Sequence, residues 1–188
     1  MKSLRRGSRY LYLKAGFAVV ELIAVLVILG VLSAVAIPRF FNKSTSDLTG
    51  YFNQAQTIVR YGQKVAIAQG TNVYVQLNGS SVALCYGTSS CTTPVKAPSG
   101  SNSGSAVTLA ACGNSNSWDC EGTPTGVAYS TAIAAFYFSP QGKPYHSTNP
   151  TDTEPISTFI TPLVITFTGS SGATLSFDVE PETGYVHH

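Results

Sequence analysis

Residues 17–37, "FAVVELIAVLVILGVLSAVAI", form an apolar run whose sole ionisable side chain is Glu21. At 1.5 Å per residue the run makes about 30 Å of helix, the thickness of a bilayer core. It therefore predicts a transmembrane helix. Past Pro38 the periodicity changes. Leu48, Tyr51, Phe52, Ala55, Val59, Gly62 and Ala66 recur at i, i+3 and i+4, the stripe of an amphipathic helix over 38–70, with Gly70 as its stop signal. Pro38 kinks a helix without having to end it. A break or bend near 42–46 is expected, with Ser46 as N-cap of the second half. If continuous from Phe17 to Gln69, this spine would measure about 80 Å.

From residue 71 the helical stripe gives way to short apolar-rich runs. The runs 73–77 and 82–86 flank Asn78-Gly79, a strong hairpin signal. Further strands are expected over 133–138, 163–167, 173–179 and 185–187, separated by Gly- and Pro-rich turns. The pattern thus predicts an α+β chain in which a long N-terminal helix precedes an antiparallel β-rich head, 71–188. Within that head, residues 87–126 are rich in Ser, Gly, Thr, Asn and Pro, too long and polar for an ordinary connector. They predict a variable or binding loop, or a solvated insertion with no partner.

Charge settles the orientation. Lys2, Arg5, Arg6, Arg9 and Lys14 give the first 16 residues +5 with no acid, which against a net charge of +2 leaves the remainder at −3. Positive charge ahead of the apolar run keeps Met1 in the cytoplasm and exports the rest. The remainder offers no basic face for phosphates, so nucleic acid is not an expected partner. A cleaved secretory signal competes, because Ala34-Val35-Ala36 matches a small-x-small cleavage site. Against it stand the length of the run, Pro38, and an acid within the stretch. A carboxylate in hydrocarbon costs about 2.5 to 3.5 kcal/mol near a helix centre, so Glu21 needs a reason to be there.

"KAG" followed by "FAVVEL" and a long apolar helix resembles the start of a type IV prepilin. The resemblance implies a leader peptide over 1–16, cleavage by prepilin peptidase between Gly16 and Phe17, and N-methylation of Phe17. It implies Glu21 as the assembly glutamate, which pairs with the Phe17 amine of a neighbouring subunit. Residues 17–37 would then be the transmembrane and filament-core helix. Physical reasons stand beside this. Glycine alone lets a peptidase approach the backbone without a Cβ, and Phe17 and Glu21 at i and i+4 share a helix face. Ala18, Val19 and Val20 depart slightly from the usual Thr-Leu-Ile. The competing explanation is that Glu21 snorkels to the headgroups.

"FYFSPQGKP" and the closing "EPETGYVHH" are similar to the end of the GspH/FimT group, most like MshC-type minor pilins of mannose-sensitive haemagglutinin (MSHA) pili. That likeness covers 10–77 and 133–188. It implies the type IV pilin fold and a minor pilin subunit that initiates or completes a pilus for adhesion or motility. Other pilin subunits, prepilin peptidase, the inner-membrane assembly platform and the lipid bilayer would be its partners. The expected location is the inner membrane before processing and a cell-surface pilus, or a periplasmic pseudopilus, afterwards. A pseudopilin of a type II secretion system is the alternative, and no residue separates the two.

Cys85, Cys91, Cys112 and Cys120 are four in an exported region, so disulfides are expected. Of three possible pairings, Cys85 with Cys91 and Cys112 with Cys120 close the shortest loops. No Cys-x-x-Cys favours zinc, and no metal or cofactor is expected. Trp118, beside Asp119, is either a surface contact or an anchor packed on a disulfide. A signal-anchored periplasmic enzyme or binding protein would need a catalytic constellation. The histidines are His146, His187 and His188, and the carboxylate pairs Asp152 with Glu154 and Glu180 with Glu182 sit in turns. None matches a catalytic motif, and an enzyme is not expected.

Overall fold

The computed structural model describes residues 19–41, 43–86, 91–147 and 159–188. The chain divides into two units, 1–41 and 42–188. In the first, α1 (Val19–Phe41) is one helix that includes Pro38. Among the described residues no helix is long and apolar enough to cross a membrane. The side chains described in α1, 19–33, fall short of the about 20 residues a span requires. Phe17, Ala18 and the side chains of 34–37 lie outside the described residues, so the predicted span is not shown.

The second unit begins with α2 (Lys43–Gln69). Ser46 is internal to this helix rather than its N-cap, because helical bonding already starts three residues earlier. At the other end Gly70 adopts φ +63°, and the Thr71 N–H donates to the Ala66 carbonyl at 3.3 Å. This 6→1 bond closes the helix on orphan carbonyls that would otherwise need water.

Among the described residues ten strands follow: β1 (Val73–Leu77), β2 (Ser81–Tyr86), β3 (Thr93–Pro94), β4 (Cys120–Gly122), β5 (Val127–Thr131), β6 (Ala135–Phe138), β7 (Pro144–His146), β8 (Leu163–Gly169), β9 (Thr174–Val179) and β10 (Val186–His187). A short helix, α3 (Ala106–Ala111), lies between β3 and β4. The strands make two antiparallel sheets. One has order β3-β2-β1-β6-β7, with β4 also pairing β2, and the other has order β10-β9-β8-β5.

The stripe on α2 explains why both sheets meet it. Leu48, Tyr51, Phe52, Ala55, Val59 and Ala66 are buried with Val73, Val75, Leu84, Phe136, Ile165, Phe167 and Phe177 in one core. Phe52 lies edge-on to Phe167 at 5.7 Å and to Phe177 at 5.8 Å, the geometry that aromatic quadrupoles favour. Gly62 belongs to the stripe for want of a side chain: an added Cβ would lie 2.8 Å from Leu84 Cδ2.

Polar groups of α2 fasten the chain's end. The Arg60 guanidinium donates Nε and Nη2 to the Val186 carbonyl at 3.0 and 2.8 Å. Gln63 Nε2 donates to the carbonyls of Gly142 and Thr183 at 2.9 and 2.7 Å, and Lys143 pairs with Glu182 at 2.7 Å. The two C-terminal motifs, some 40 residues apart in sequence, are thereby brought together over α2.

Residues 87–126 differ from the expected loop. Residues 87–90 lie outside the described residues, but 91–126 contain β3, α3 and β4, and bury Val95, Cys112 and Cys120. Further differences are β5 and β7, absent from the expected strands. The β1–β2 turn is also wider than a two-residue hairpin. Asn78 Oδ1 accepts from the Ser80 and Ser81 amides at 2.9 and 2.8 Å, so the side chain closes the turn. Tyr129 latches it, donating to the Ser81 carbonyl at 2.6 Å and accepting from the Gly79 amide at 2.9 Å. Burial pushes its hydroxyl pKa up to about 12.

Candidate functional site

Two regions present candidate functional side chains, one in each unit. In α1, Glu21 stands in the first turn, where the positive end of the helix dipole favours a carboxylate. Around it Val19, Val20, Leu22, Ile23, Val25 and Leu26 are all exposed. Every described side chain of this helix faces outward, so the apolar surface runs all the way round. A helix of that kind is stable when buried, in a bilayer or among other chains. Gly16 and Phe17 lie outside the described residues, and their relation to Glu21 is not seen.

The second region is the cysteine-bearing edge of the head. Disulfides join Cys85 to Cys91 and Cys112 to Cys120. Alternation along the strand sends Cys120 to one face and Asp119 and Glu121 to the other. On the first face Ala83, Cys112 and Cys120 form a small second core, with Ala111 and Trp118 against it. The Trp118 indole N–H donates to the Leu84 carbonyl at 2.7 Å, which makes this residue an anchor on the disulfide.

On the other face both carboxylates are buried. Glu121 is held by three donors: the Ser103 amide at 2.6 Å, the Ser103 hydroxyl at 2.7 Å and the Thr108 hydroxyl at 2.8 Å. Ser105 caps α3, accepting from the Thr108 amide at 3.1 Å, and so positions that hydroxyl. Asp119 is less well served, for its Oδ2 is buried with no hydrogen-bond partner. Desolvation first, and the nearby charge of Glu121 second, push its pKa up to about 7 from an ordinary 3.8.

A raised carboxylate pKa favours the folded state below about pH 4, and that contribution disappears as pH rises through about 7. A difference of this size corresponds to about 4 kcal/mol. Asp119→Asn should therefore be neutral near pH 4 and increasingly stabilising by pH 8, as read from thermal unfolding in EDTA. An unchanged gap between variant and wild type across that range would refute the burial account.

The histidines do not converge. His187 Nε2 lies 2.8 Å from Glu180 Oε1, and the His188 ring sits edge-on to Phe52 at 6.4 Å. Glu180 and Glu182 go to different partners, His187 and Lys143. Asp152 and Glu154 lie outside the described residues. Among the described residues no group of three or more His, Cys, Asp or Glu comes together as a metal cluster.

The architecture has a counterpart among solved structures. The type IV minor pilin FimU of Pseudomonas aeruginosa superposes with a TM-score of 0.51 over 78% of this chain and 90% of that one, at 9% identity. The mixed helix and antiparallel-sheet fold resembles that of a type IV pilin. The sequence itself matches no protein-family model and no curated protein. What the chain shares with FimU is therefore architecture alone.

Neither the hydroxyl and amide contacts around Glu121 nor the Asp119 position was singled out from the sequence as a site. Ser105 ahead of "AVTLAA" was the available signal, a capping serine before a run of helix-compatible residues.

Proposed function

We propose that this chain is a minor pilin subunit, MSHA-like, that enters or initiates a type IV filament. The observation that carries the proposal is the likeness of the fold to that of a type IV minor pilin, alongside an α1 whose described side chains are apolar except for Glu21 and Ser33. In this reading prepilin peptidase cuts between Gly16 and Phe17, Phe17 is methylated, and residues 17–37 hold the subunit in the inner membrane until it joins the filament. Other pilin subunits cover α1, and the assembly platform extracts it. The head then stands on the cell surface. The closing "EPETGYVHH" supports the MSHA-like assignment by its similarity to MshC-type ends.

Processing is the direct test. Expressed with its peptidase, the chain should yield a mature protein that starts at methylated Phe17, read by N-terminal sequencing and mass spectrometry. Gly16→Val should leave the precursor uncut, because a branched side chain obstructs close backbone approach. A mature start at Ile37 would show a cleaved signal peptide instead and overturn the proposal.

A further inference from the structure

Between α2 and the strap 97–103 lies a cleft of about 510 Å³. Asn53, Gln54 and Thr57 of α2 wall one side, Ser101 belongs to the strap, and Asp119 and Glu121 come from the sheet edge. None of the residues that line it is Lys, Arg, His or Cys.

Three observations point to a cation here. Asp119 is only 7% exposed, and its Oδ2 has no hydrogen-bond partner. A buried carboxylate left so is costly unless a charge meets it. Glu121 is 8% exposed, and its three donors hold a second carboxylate on the same face. The surrounding donors are amide and hydroxyl oxygens, with all four cysteines in disulfides.

Oxygen donors without imidazole or thiolate select a hard cation over zinc or copper. Of the hard cations, calcium accepts irregular sets of carboxylate and neutral oxygens, while magnesium demands near-ideal octahedral geometry. We propose that this cleft binds a calcium-class divalent cation, with Asp119 as its carboxylate ligand and Glu121 as the fixed second charge. Neutral oxygens from α2, the strap and water complete the shell. Bound there, the ion ties the strap to α2 and removes the repulsion between the two acids. The inference stands independently of the pilin proposal.

The test uses the full-length chain in detergent, stripped with EDTA and dialysed. Calcium chloride at about 1 mM should raise its melting temperature by about 5 °C or more, and calorimetric titration should show one site. Asp119→Asn, which keeps the shape of the side chain, should weaken calcium at least tenfold and abolish the rise. Asn53→Ala, on the exposed face of α2, should weaken it less while leaving the fold intact. Magnesium should give a smaller shift. No calcium-dependent rise in the wild type would overturn the proposal, as would an equal rise in Asp119→Asn.

Discussion

Gly184→Ala should destabilise the head by about 3 kcal/mol or more, a large part of the 5 to 15 kcal/mol that holds a typical domain folded. Two costs combine. Gly184 adopts φ +65°, a conformation that costs a residue with a Cβ about 1 kcal/mol or more. The new methyl would also overlap the Gly142 carbonyl oxygen, and would lie 2.6 Å from Gln63 Nε2 and 2.9 Å from Phe138 Cε1. Backbone on one side and a doubly bonded amide on the other leave little room to yield, and overpacking of this kind costs about 1 to 3 kcal/mol. Gly172→Ala separates the two terms. That glycine has φ +82° but nothing within 4 Å of an added Cβ, so it should lose the conformational part alone. Denaturant unfolding of both variants decides the matter. Equal losses would mean that the close approach of the last turn to the 139–143 turn contributes nothing.

Gly184 also shows how much of the fold was legible in the sequence. Period-3.6 spacing from Leu48 to Ala66 marked the buried face of α2, because large apolar side chains at that spacing have one way to leave water. Short apolar-rich runs between turn residues marked β1, β8 and β9, and in β8 the structure shows the buried and more exposed positions alternating. The segment around Glu121 was illegible for the opposite reason. Its buried residues include Thr108, Asp119 and Glu121, alongside small ones such as Ala97. Side-chain hydrogen bonds and a disulfide hold it, and neither leaves a hydrophobic period. β7 was hidden by Pro144, which reads as a turn residue yet stands at the first position of an edge strand, where a missing donor is tolerated. Of the candidate site, Glu21 stood out as a charge in an apolar run, while Asp119 took its importance from packing.

Glu21→Val should be processed like the wild type and yet be absent from filaments. If the peptidase recognises the leader side, replacing a carboxylate five residues beyond Gly16 leaves the cut intact. Membrane residence should improve, since the substitution removes a burial cost of about 2.5 to 3.5 kcal/mol. On the proposed minor-pilin function, assembly should fail because the Phe17 amine of a neighbouring subunit would enter the apolar filament core with no countercharge. Breaking one partner out of a buried pair costs about 3 to 5 kcal/mol, which lowers incorporation a hundredfold or more. Glu21→Gln is the sharper control: it preserves size and hydrogen bonding and loses charge alone. Immunoblots of sheared filaments and membranes should find both variants, cleaved after Gly16, in the membrane fraction. The snorkelling alternative makes the opposite prediction. A glutamate that merely reaches the headgroups has no partner to lose, so Glu21→Val at wild-type levels in sheared filaments would refute the pairing with Phe17.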